Sequence, residues 1–123
     1  MTLSPNVEEA VLPELWISLV SLVRSYVAAH DIGRPVGRAL VDLGDDGRLT
    51  IRGDQRILVI ELDVHTGSGH WSLYEDDPGP ERKLAEGTFG LTPNSLIEFS
   101  DRRGKLELEV AAEAFTAKIF DED

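Results

Sequence analysis

The chain has 123 residues, 41% of them hydrophobic and 28% charged, and a formal net charge of −11 at pH 7. That is the profile of one globular domain with a sizeable core, not of a disordered segment. So negative a balance argues against nucleic acid and anionic membrane surfaces as partners, and the absence of cysteine excludes disulfides, thiolate nucleophiles and cysteine-ligated metal centres.

Asn6, with Glu9 three residues on, has the spacing of a capping box and opens a helical segment over about residues 7–30. Pro13 removes one backbone donor inside that segment, so a kink or break is expected there. Leu12, Leu15, Trp16, Leu19, Val20, Leu22, Val23, Tyr26 and Val27 fill one broad sector of the helix, which should face a core. Glu14, Ile17, Ser18, Ser21, Arg24, Ser25 and Ala28 fall on the other side. That side is poor in charge for a solvated helix, and Ile17, Ser18, Ser21, Ser25 and Ala28 are the expected contact surface for a protein partner, most simply a second subunit, the alternative being that a later loop such as Gly33 to Arg38 folds back over it. The apolar run Leu15–Val23 is short for a membrane span. Glu8, Glu9 and Glu14 precede or open it without any Lys or Arg, the wrong sign for a secretory leader, so no targeting segment and a cytoplasmic location are expected.

Gly33 and Pro35 should stop the helix, and 33–38 reads as a loop. It lacks the Gly-Lys-Ser/Thr ending of a phosphate-binding loop and follows a helix, not a strand. Residues 39–43 and 49–52 read as strands joined by a Gly44–Gly47 turn; the spacing of Asp42, Asp45 and Asp46 does not match a calcium loop. Arg34, Arg38, Arg48 and Arg52 gather in this region and form a possible anion site, against the simpler reading of solvated arginines facing an acidic second half. Residues 1–56 carry 8 acids against 6 bases, and the remainder 15 against 6.

The longest alternating run follows. Leu58, Ile60, Leu62 and Val64 fall on one face of a strand, Thr66-Gly67-Ser68-Gly69 signals a turn, and Trp71 and Leu73 return on the same apolar face. A four-residue loop would set His65 opposite His70 and Asp63 opposite Ser72. Asp63, His65 and His70 would then offer two imidazoles and a carboxylate to a divalent ion, with a fourth position open. The simpler reading is an exposed polar hairpin face.

Residues 76–81 read as an acidic loop, 83–89 as a strand loosened by Gly87, 96–99 as a short strand and 105–110 as an alternating one. Ala111, Ala112, Phe115 and Ile119 recur at helical spacing, so 111–120 is expected to be helical, the alternative being one long bulged strand. The fold class is therefore α+β: an N-terminal amphipathic helix packed on a largely antiparallel six- or seven-stranded meander over about 38–110, with a short C-terminal helix.

His30 reads as a helix-end residue, no Gly-x-Ser-x-Gly elbow occurs, and nothing locates a pair of catalytic carboxylates. No cofactor is expected. The composition suits a small acidic non-catalytic protein-binding module such as an adaptor, an immunity or antitoxin protein, or a secretion chaperone, working as a homodimer. The alternative is a small-ligand carrier with Trp16, Tyr26, Trp71 and Phe89 lining a pocket between helix and sheet.

Overall fold

The computed structural model describes residues 5–31, 40–44, 47–53, 55–75, 82–101 and 104–120. Helix α1 (Pro5–Asp31) is followed by strands β1 (Leu40–Leu43), β2 (Arg48–Arg52), β3 (Arg56–Leu62), β4 (Ser68–Glu75), β5 (Arg82–Thr92), β6 (Leu96–Phe99) and β7 (Lys105–Glu107), then by helix α2 (Leu108–Phe120). The seven strands pair in chain order, each antiparallel to the next, so the sheet is a simple meander beneath two helices. This is the expected α+β class.

Period-two alternation selects the inner face. Leu49 and Ile51, Leu58, Ile60 and Leu62, Trp71 and Leu73, Phe89 and Leu91, and Ile97 and Phe99 are all buried from successive strands. From α1, Leu12, Trp16, Leu19, Val20, Val23 and Val27 close over them, at the spacing of a helix with one buried stripe. Trp16, Trp71 and Phe89 are thus members of the core itself, and Tyr26 packs half-buried against it. α2 lies beside α1 over the same face. Its Phe115 ring meets Phe89 and Phe99 edge-on, at centroid distances of 5.4 and 5.2 Å. The buried hydroxyl of Thr116 is satisfied by donating to the Ala112 carbonyl at 2.8 Å.

Several local expectations need correction. Asn6 lies inside α1 (Pro5–Asp31) and is therefore not its cap. Of the kink or break expected at Pro13, the break does not occur: the helix continues through it. Leu12, Trp16, Leu19 and Val20 are buried around Pro13, and that packing outweighs one lost backbone bond. β7 ends at Glu107, and helix begins three residues earlier than its spacing indicated. A continued strand would have aimed Val110 inward with Leu106; in the helix Val110 is exposed while Ala111, Ala112, Phe115 and Ile119 are buried.

The hairpin register also differs. β3 ends at Leu62, and Glu61, not His65, stands opposite His70; Val59 stands opposite Ser72 and Ile57 opposite Tyr74. Asp63 stops the strand. Its Oδ1 accepts the His65 N–H at 2.9 Å, and its carbonyl accepts the Gly67 N–H at 2.7 Å. This is the local side-chain-to-backbone bonding by which aspartate competes with a ladder. Val64 therefore sits in the turn, half-buried against the core.

By length and composition alone, Val11–Ala29 of α1 is apolar enough to cross a membrane, and 33% of that window is buried inside this fold. A core helix passes the same test.

Candidate functional site

The face of the sheet away from the helices carries the polar residues that alternate with the core. Along β2, β3, β4 and β5 the register aligns Arg48, Glu61, His70 and Thr88 in one row, and Thr50, Val59, Ser72 and Glu86 in the next. A third row holds Arg52, Ile57, Tyr74 and Lys83, brought to this face by a bulge at Leu73/Tyr74. Without that bulge Lys83 and Glu86, three apart, would point to opposite faces. With it, Lys83 Nζ lies 3.4 Å from Glu86 Oε1.

His70 is the centre of this network. Its Nε2 is 3.1 Å from Glu86 Oε1, and its Nδ1 is 3.5 Å from Ser72 Oγ. The order hydroxyl, imidazole, carboxylate is that of a nucleophilic triad, but the surroundings do not serve that chemistry. Ser72 is only 5% exposed, and its contact to the ring is at the long limit of a hydrogen bond. β4 is also paired on both sides along its length. Its backbone N–H groups are consumed by the two ladders, and none remains to stabilise an oxyanion.

The hydrogen bond with His70, and then the Lys83 ammonium, hold the Glu86 carboxyl below the ordinary glutamate range. A depressed carboxylate contributes stability above its unfolded midpoint, and that contribution disappears as the pH falls through the folded midpoint. His70→Ala removes the larger cause. It is expected to move the Glu86 midpoint upward in a carboxyl-carbon NMR titration; an unchanged midpoint would show that the hydrogen bond does not form in solution.

Asp63, His65 and His70 line one open groove of about 640 Å³ at the β3–β4 turn, together with Glu61, Ser68 and Gly69. The changed register separates their roles: Asp63 caps the turn, His65 is exposed on it, and His70 faces Glu86. Among the described residues, no group of three or more His, Asp or Glu side chains is arranged to hold a metal ion. Arg48 and Arg52 are exposed on β2, one opposite Glu61 and the other opposite Ile57. Arg34 and Arg38, the other half of the possible anion site, lie outside the described residues.

The outward strip of α1 is exposed, and the Gly33 to Arg38 loop lies outside the described residues. Ile17, Ser18, Ser21, Ser25 and Ala28 are all exposed, and Ile17 retains 63% of its surface in water, the most of any large hydrophobic side chain among the described residues. Ser25 Oγ folds back onto the Ser21 carbonyl at 3.1 Å, so these small side chains hug the helix and leave its surface flat. Sequence reasoning found this strip but missed the Lys83–Glu86–His70–Ser72 network, whose only signal was a bulge that alternation does not reveal.

Neither protein-family models, nor curated proteins, nor solved structures give a match to this chain.

Proposed function

We propose that this chain is a small, acidic, non-catalytic protein-binding module of the cytoplasm, of the adaptor, immunity, antitoxin or chaperone type, and that it works as a homodimer joined through α1. The observation that carries this reading is Ile17, exposed midway along a helix whose opposite stripe is already fully used in the core. Burying such a side chain is worth about 1.5–3 kcal/mol. Glu14, Ile17, Ser21, Arg24 and Ala28 follow one another at alternating steps of three and four residues, the spacing of a helix–helix seam, and all five are exposed.

The seam is self-complementary in one antiparallel arrangement. With a two-fold axis beside Leu19, Ile17 of each copy meets Ser21 of the other, and Glu14 meets Arg24. Neither Glu14 nor Arg24 makes an ion pair with another described residue. Small side chains at the crossing let the helices approach within the usual ~8–10 Å.

Ser21→Arg tests the reading. It sets two like charges close to the axis on a surface that is exposed in the single chain. At high micromolar concentration the variant is expected to sediment as an assembly of half the wild-type size or less, with unchanged circular dichroism. A wild-type monomer under those conditions would refute the homodimer.

A further inference from the structure

β5 is the longest strand, and its two halves have different neighbours. It pairs with β4 over Arg82–Gly90, but β6 reaches only Phe89–Thr92. Thr88 and Ser100 close the ladder, with Ser100 N–H donating to the Thr88 carbonyl at 3.0 Å. β6 ends at Phe99, and among the described residues no strand lies beside the backbone of Arg82–Gly87 on the side away from β4. Arg82, Lys83, Leu84, Ala85 and Glu86 are all exposed, and Leu84 keeps 42% of its surface in water. The alternation that directs Thr88 toward Ser100 also turns the backbone N–H and carbonyl of Glu86 into that vacant lane.

We infer that this open edge pairs antiparallel with the same edge of a second copy, around a two-fold axis between Leu84 and Ala85. The charges select the register. Basic Arg82 and Lys83 stand at one end of the edge and Glu86 at the other, with exposed Asp101 just beyond, where β6 departs. About that axis each Lys83 lies opposite Glu86 of the other copy, and each Arg82 lies opposite Gly87, beside Asp101. Asp101 rims a crevice of about 140 Å³ with Phe99, Ala114 and Lys118, which is open to the arriving Arg82 stem. The bulge at Leu73/Tyr74 keeps Lys83 and Glu86 on one face, so each opposed pair is also same-sided. Charges on a sheet edge ordinarily repel a second edge. Here the opposed signs attract in this register, with two Lys83–Glu86 pairs formed at once.

This surface is independent of α1, and two distinct two-folds in one chain generate either a closed tetramer or an open string. Ser21→Arg protein therefore isolates it. In that background, Lys83→Glu and Glu86→Lys are each expected to weaken self-association on the order of tenfold, since each sets two like-charged cross-strand pairs together. Mixing the two variants is expected to restore association, because every cross-strand pair then has opposite signs. The pair within each chain stays like-charged in the mixture, so recovery reports only contact between chains. Circular dichroism melts establish that both variants fold. Association of either variant alone at wild-type strength, failure of the mixture to recover, or a monomeric Ser21→Arg parent at high micromolar concentration would each overturn the proposal; the last would leave the α1 dimer standing.

Discussion

Phe115→Ala is expected to lower the unfolding free energy by about 3–5 kcal/mol, a large share of the ~5–15 kcal/mol typical of a domain. Phe115 is fully buried and is the largest such side chain. It is also the point at which α2 is tied to the far half of the sheet, because its ring contacts those of Phe89 on β5 and Phe99 on β6. Truncation leaves a cavity bounded by two rings in contact with each other at 6.1 Å, which cannot close over it without moving their strands. Urea denaturation measures the loss. A midpoint near that of the wild type would mean that α2 is not seated on the sheet as described. Val110→Ala on the exposed side of the same helix is the control, with an expected change within ~0.5 kcal/mol.

Gly67→Ala is the second large effect. Gly67 has φ +82°, where a side chain costs about 1–2 kcal/mol by itself. An added Cβ would also fall 2.3 Å from the Leu91 carbonyl oxygen. That neighbour is backbone, and the Leu91 N–H is bonded to the Gly67 carbonyl at 2.7 Å, so the atoms that must separate are those that fasten the β3–β4 turn to β5. The total is expected on the order of 3 kcal/mol or more. Gly104 provides the comparison: its φ is +86°, yet no described residue comes within 4 Å of the added atom. Gly104→Ala should therefore show only the conformational part. Equal costs at the two positions would contradict the turn-to-strand contact.

The meander was legible in the sequence because alternation and turn glycines are local signals. β6 falls on the residues its pattern indicated, and β2, β3 and β4 bury the side chains their period selects. What local pattern could not supply was competition between alternatives. Asp63 fits a strand by period, but its carboxylate binds the backbone two residues on and ends the strand, which moves every partner of β4 along β3. Leu106, Leu108 and Val110 alternate as a strand would, yet burying Phe115 between two rings favours a helix from Leu108. The Lys83–Glu86–His70 network depends on one bulge. The α1 strip was legible for the opposite reason: its composition is conspicuous, and its residues are exposed in the fold.

Cysteine cross-linking tests the α1 pairing most directly, since the chain has no cysteine of its own. Ile17→Cys and Ser21→Cys proteins, mixed and oxidised mildly, are expected to give an interchain disulfide, because the antiparallel register sets these two positions against each other. Glu113→Cys, on the exposed side of α2, should give none when mixed with either. Cross-linking of the Ile17→Cys and Ser21→Cys pair above that control supports a dimer built on α1; a yield no greater than the control would contradict it.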